Sequence, residues 1–183
     1  ANALMYYYGS QNKPFVYRCI NRLDRDTTGL TIVAKHALAG GILGNAVAKR
    51  AIHRTYYAVC SGCTPAYMRI SAPIARKDAS TIERCVDFKR GENAVTDFIR
   101  IKYNPDNNLS LVKLRLLTGR THQIRVHMKY IGFPLIGDFL YNPDYTYISR
   151  QALHSGRLVF THPVTGQKMN LISDIPSDMK SLF

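Results

Sequence analysis

The sequence predicts a single α+β domain over residues 1–183, a mixed and mostly antiparallel sheet flanked by a few helices. Three observations lead there. Strand-like stretches outnumber helical ones, about nine to three, in a mixed order rather than strict alternation. Two pairs of such stretches are joined by turn-rich loops, Asn104-Pro-Asp-Asn-Asn108 and His162-Pro-Val-Thr-Gly166, which favour antiparallel hairpins. Finally, 183 residues with 46% apolar content suffice for one core, and no repeat or linker-like stretch divides them.

The elements follow in order. Residues 2–9 read as a short helix, with Asn2 as its cap and Gly9 as its stop. Residues 15–20 form a strand, 21–29 a polar loop, and the β-branched 30–34 a second strand. Helical apolar spacing covers 37–50. A strand at 55–60 ends before Gly62, and shorter strands are expected at 68–74 and 82–88, with a turn at Arg90-Gly91-Glu92. Residues 94–103 and 109–117 make the first hairpin. Residues 121–131 make a helix capped by Thr121 and stopped by Gly132, and 152–160 with 169–172 make the last hairpin.

Charge narrows the function. Lys and Arg number 25 against 12 for Asp and Glu, a formal net charge of +13. Such a surplus suits a polyanionic partner, or solubility alone. The longest apolar run, residues 37–48, is interrupted by Gly40, Gly41, Gly44 and Asn45, so no membrane span is expected. The first ten residues carry Tyr6, Tyr7 and Tyr8 and no basic start, unlike a signal peptide, and a soluble, cytoplasmic protein is expected. Cys60 and Cys63 have C-x-x-C spacing, but Cys19 and Cys85 stand alone and the pair closes a strand rather than opening a helix. Free thiols are expected, with no metal. The acids are unevenly spread. Residues 27–77 hold no carboxylate and seven cations (Lys35, Lys49, Arg50, Arg54, Arg69, Arg76, Lys77); the gap between Asp106 and Asp138 holds Lys113, Arg115, Arg120, Arg125 and Lys129. If the two segments share a face, that face suits phosphate backbones; dispersed around the domain, the same cations are only solvated.

Three stretches carry residue types suited to chemistry. Arg22-Leu23-Asp24-Arg25-Asp26-Thr27-Thr28-Gly29 places two carboxylates two residues apart. A glycosidase pair would need one of them protonated, and the flanking cations hold both ionised. From composition alone the stretch reads as a turn, with Asp26 and Thr27 capping backbone and Arg22 and Arg25 solvated. In Thr118-Gly-Arg-Thr-His-Gln-Ile-Arg-Val-His127, a helix opening at Thr121 offers free N–H groups to a phosphate, and Arg125 lies a turn in, beside His122. The same stretch also fits a plain amphipathic helix packing Ile124, Val126 and Met128. In Arg54-Thr-Tyr56-Tyr57-Ala58 the two tyrosines face opposite sides of a strand. One is core, and the other is free to stack on a base.

Read together with Gly132-x-Pro-Leu-Ile-Gly-Asp138, Gln151-Ala-Leu-His154 and Phe160-x-His-Pro-x-Thr-Gly166, these stretches resemble the RluA-type RNA pseudouridine synthases, in order from Asn21 to about Gly166. The resemblance implies a cofactor-free RNA uridine isomerase that detaches uracil, turns it and rejoins it through C5. It implies Asp24 as the catalytic aspartate, Arg125 as its partner and Tyr56 as the tyrosine against the base. Arg22, Arg25, Arg54, Arg120, His122, Gln123 and Lys129 are then the residues set against RNA, which is rRNA or tRNA. The chain is expected to act as a monomer without a membrane. The roles are physically apt, because a carboxylate desolvated beneath a base needs a guanidinium to stay ionised. The target uridine must also be flipped out to reach it, and Arg22, on the same strand face as Asp24, is positioned to fill the vacated stack. The alternative is a non-catalytic RNA-binding module of the same fold, for which a carboxylate among cations has no purpose. Asn21 stands where the family often has His, and Arg54 where it usually has Lys. The family's upstream strand with a Lys-Pro motif and its S4-type module do not precede Ala1 in this sequence: either the chain is cut or it is a minimal form, and a missing strand would leave a sheet edge unpaired.

Overall fold

A computed structural model describes residues 1–183. Its centre is a sheet in the order β11-β10-β4-β9-β8-β5. These strands are β4 (His53–Ser61), β5 (Tyr67–Ser71), β8 (Val95–Asn104), β9 (Leu109–Leu116), β10 (Leu153–Thr161) and β11 (Lys168–Ile172). All the pairs along this path are antiparallel, as the two turn-rich loops predict. The exception is the two-residue β2 (Thr28–Gly29), which adds to β10 in parallel. The mixed, mostly antiparallel α+β class is therefore the observed one.

The central strand β4 is buried on both faces because both are covered. Tyr56, Ala58 and Cys60 point into a core shared with Phe98, Val112, Leu114 and, from α3 (Gln123–Tyr130), Ile124 and Met128. Val59 points the other way, onto Leu109, Ile136 and Met179 of the short α4 (Ser177–Lys180), a helix the sequence pattern does not reveal. A third cluster joins α2 (Ala37–Ala48) to Ile52, Leu158 and Phe160. The α3 helix thus lies against the sheet face from which Tyr56 projects.

Several expectations change in detail. The strands expected at 15–20 and 30–34 shrink to β1 (Arg18–Cys19) and β3 (Val33–Ala34), paired with each other. The chain between them is diverted: β2 docks on β10, Leu30 N–H donates to the Ser155 carbonyl, and Ile32 N–H donates to Asn21 Oδ1. That docking requires a glycine. Gly29 has φ 107°, and a Cβ there would overlap the Ser155 backbone. The strand expected at 68–74 breaks at Pro73, which cannot donate to a ladder, into β5 and β6 (Ile74–Arg76), and β6 pairs with β7 (Arg84–Val86). The first helix, α1 (Asn2–Gly9), keeps its bounds, but Asn2 lies inside it. The α3 helix starts two residues later than expected, and Thr121 does not cap it. His122 precedes it in the left-handed region at φ 57°. No helix is long and apolar enough to cross a membrane. Cys60 is buried among apolar side chains, which push its thiol pKa up, whereas Cys63 is exposed.

A candidate active site in a basic cleft

The two acid-poor segments meet. A cleft of about 870 Å³ is lined by Arg50 and Arg54 from the first and by Arg115, Arg120 and Arg125 from the second, joined by Arg22. Asp24 is the one carboxylate in its lining. The sheet brings this about, because β4 and β9 are neighbours, with Thr55 paired to Arg115. Other cations are drawn off elsewhere, Arg69 to Asp97 and Lys77 to Glu83.

Asp24 sits where the chain turns. Thr27 N–H donates back to the Asp24 carbonyl, and Asp26 adopts φ 69°. From β10's approach, Gln151 Nε2 donates to the Arg25 carbonyl at 3.0 Å and to Thr27 Oγ1 at 2.6 Å. The stretch is a turn as expected, but neither side chain caps it: Asp26 pairs with Arg25, and Thr27 Oγ1 is taken by Gln151. The Asp24 side chain, 28% exposed, turns toward the cleft.

Beneath it lies Arg125, whose side chain is 1% exposed. Its Nη1 donates to Asp24 Oδ2 at 3.2 Å, and its Nε and Nη2 each donate to Asp138 at 2.7 Å. Asp138 is fully buried and also accepts from the N–H groups of Leu140 and Tyr141. Burial opposes the Arg125 charge, but Asp138, and then Asp24, raise its pKa above the ordinary value. The rings of Tyr141 and Phe139 lie 5.0 and 5.3 Å from the guanidinium carbon. Asp138 belongs to a motif visible in the sequence, yet it was assigned no part there. The signal was available: a buried arginine requires a carboxylate, and Asp138 is the first after the acid-free stretch.

His122 approaches the same oxygen, its Nε2 lying 4.0 Å from Asp24 Oδ2. A hydrogen-bond chain lies behind it: Arg84 N–H donates to Tyr141 Oη at 2.9 Å, and that phenol stands 2.9 Å from His122 Nδ1. Burial pushes the phenol pKa up to about 12, so it stays protonated. Burial lowers the His122 pKa, Asp24 only partly offsetting it, and the ring is neutral at pH 7. Its left-handed backbone is a strained choice for a residue other than glycine, and it aims the ring at the carboxylate.

Tyr56 and Arg54, two apart on β4, share the strand face that lines the cleft. Tyr56 is buried, and burial pushes its hydroxyl pKa up against the opposing pull of Arg54. Arg54 lies so close over Gly119 that a side chain there would crowd its Nη2.

The remaining predicted residues divide. Arg22 is exposed at the cleft. Arg120 is there too, bound to Glu92 and to the Asn93 carbonyl. Gln123, 2% exposed, spends its amide within the protein: Oε1 accepts from Arg120 N–H and Thr118 Oγ1, and Nε2 donates to the Val95 carbonyl and Thr96 Oγ1. It fixes the loop before α3 and has no donor left for a ligand. Arg25 and Lys129 lie outside the cleft lining. Arg25 pairs with Asp26 and covers the Phe139 ring, and Lys129 Nζ stands 5.6 Å from the Tyr141 ring centre.

Known proteins resemble this chain in sequence and in fold. The family model described as RNA pseudouridylate synthase matches residues 2–130. Relatives include the uncharacterized RNA pseudouridine synthase YjbO of Bacillus subtilis, 44% identical over all of this chain. Another is the ribosomal large subunit pseudouridine synthase D of Zymomonas mobilis, 36% identical over all of it. The chain spans 64% and 61% of the length of these two relatives. Among solved structures, human RNA pseudouridylate synthase domain containing 1 superposes with a TM-score of 0.77 at 26% identity, over 87% of this chain and 69% of that one. Human RNA pseudouridylate synthase domain containing 4 has the same fold, with a TM-score of 0.75 at 20% identity, over 96% of this chain and 77% of that one.

Proposed function

The chain belongs to the RNA pseudouridylate synthase family, and on that premise we propose that residues 1–183 form a catalytic domain converting uridines of structured RNA to pseudouridine. The observation that carries the reading is the Asp24 carboxylate, partly open to a cleft of arginines and held by Arg125 at 3.2 Å.

The reaction is an isomerisation: the N1–C1′ bond breaks, a C5–C1′ bond forms, C5 loses its hydrogen to solvent and N1 gains a proton. Asp24 is the group that acts on the flipped nucleotide, and Arg125 keeps it ionised and directed when the base excludes water. Arg125 occupies Oδ2, and the His122 ring stands on the same side, so Oδ1 is the oxygen free to react. Tyr56 offers a flat face to the uracil and a hydroxyl near C5. The cleft arginines hold the phosphates around it, and Arg22 enters the gap left in the stack.

The substrate is rRNA or tRNA; the name of the Zymomonas relative favours the large-subunit rRNA. The domain works as a cytoplasmic monomer and draws on no cofactor. A non-catalytic RNA-binding role leaves the Asp24 carboxylate, alone among the cleft arginines, without a purpose. The test is release of tritium from rRNA and tRNA carrying [5-³H]uridine. Time-dependent release from one of the pools supports isomerisation, and none from either, with RNA bound, refutes it.

A further inference from the structure

Beside the Asp24 cleft, and sharing Arg120 and Thr121 with it, lies a second depression of about 400 Å³ at the β6–β7 hairpin, lined by Arg76, Arg84, Arg90 and Glu92. The hairpin register sets Arg76 directly opposite Arg84. Their side chains therefore leave the same face as immediate neighbours, where like charges repel. Nearby carboxylates are engaged by other cations: Glu83 by Lys77, Asp87 by Arg90 and Glu92 by Arg120. Arg76 reaches only the Ala79 carbonyl, at 3.3 Å. The Arg84 Nε is buried with no acceptor at all. A buried donor left unpaired is uncommon and destabilising, and here it is combined with a repelling pair of the same charge.

One ligand chemistry answers this arrangement. An oxyanion with several acceptor oxygens, seated between the two guanidiniums, neutralises the repulsion and accepts from their Nη groups. The continuity of this pocket with the Asp24 cleft through Arg120 says which oxyanion. Resting on the functional reading above, we propose that the pocket holds a backbone phosphate of the RNA whose uridine occupies the cleft. Arg76 and Arg84 are its ligands, and Arg120, already tethered to Glu92 and Asn93, forms the wall between the two stations. The pocket fixes the strand's path, so the uridine is presented to Asp24 from one direction.

The test is binding, which does not depend on turnover. A transcribed RNA hairpin with a uridine-containing loop is titrated with full-chain protein across a salt series, and log Kd is plotted against log salt. Arg76→Gln and Arg84→Gln are each expected to reduce the slope by about 1 and to weaken binding several-fold at about 0.1 M salt. Arg76→Gln, at an exposed position, should do so with an undiminished melting temperature, because it removes a repulsion. Arg157→Gln, an exposed arginine outside both pockets, should change neither slope nor affinity by as much. The proposal is overturned if both pocket variants bind like the parent, or if Arg157→Gln weakens binding equally, which would mean that only net charge matters. Inorganic phosphate is the second arm, followed by the NMR signal of Arg84 Nε–H. A shift there, with RNA binding untouched in the variants, would mark a free-anion site and overturn the assignment to RNA. Failure of the isomerase reading looks different: no tritium release, with the slopes as stated.

Discussion

Arg125 gives its Nε–Nη2 edge to Asp138, at 2.7 Å for each bond, and only the remaining Nη1 to Asp24, at 3.2 Å. The two carboxylates are therefore not equivalent. Asp138 is buried and doubly bonded, neutralising the guanidinium and fixing its plane. Asp24 takes a donor from the one nitrogen left over and keeps an oxygen toward the cleft.

That inequality predicts opposite signatures. Asp138→Asn leaves a buried guanidinium without its counter-charge and should destabilise the fold by about 3–5 kcal/mol. Asp24→Asn removes a partly exposed partner and should change stability by less than about 1 kcal/mol. Urea unfolding of both variants checks this; a reversed order would contradict the division of roles.

Tyr56 separates into ring and hydroxyl. Tyr56→Phe keeps the stacking face and should leave RNA affinity near that of the parent while lowering turnover about 10²–10⁴-fold, if the hydroxyl moves a proton. Tyr56→Ala also opens the core and should cost about 3–5 kcal/mol of stability. Tritium release, RNA binding and thermal melting distinguish these outcomes.

Histidines make the fold acid-sensitive above the carboxylate range. His122, His127 and His154 all have pKa values lowered by burial from the ordinary 6.5. In this direction the unfolded chain binds more protons than the native one. The contribution is fully present above pH 6.5 and is lost as pH falls below it, by at most about 1.4 kcal/mol per histidine per pH unit. Urea midpoints should fall between pH 7.5 and 5.5. A flat midpoint would show that the histidines are not held neutral.

Arg22 is exposed beside Asp24 and tied to no carboxylate. If it fills the stack vacated by the flipped base, Arg22→Ala should slow tritium release from folded RNA more than from an unstructured strand. Equal losses on the two would exclude the wedge role.

Residue type and spacing made much of the molecule legible. The two hairpin loops announced the antiparallel sheet, and strand alternation put Tyr56 and Tyr57 on opposite faces, where they are found. What stayed hidden depends on long-range packing. Two residues, Thr28 and Gly29, are too short to show a period, and their parallel docking exists only because β10 is there to receive them. The start of α3 was misplaced because capping rules look to Thr121. The Gln123 side chain instead accepts from Arg120 N–H, and His122 takes the left-handed conformation. The quartet of Asp24, Arg125, Asp138 and His122 joins segments about a hundred residues apart; the resemblance implied the Asp24–Arg125 pair, but the parts of Asp138 and His122 depend on packing that no local pattern shows.

The most direct measurement compares tritium release by Asp24→Asn and Asp26→Asn with the parent, on the same [5-³H]uridine-labelled RNA and with binding followed in parallel. Asp24→Asn should bind RNA and release no tritium above background, while Asp26→Asn, altered only in the outer turn, should still release it. Release by Asp24→Asn at the parent's rate would contradict the assignment of the chemistry to this carboxylate.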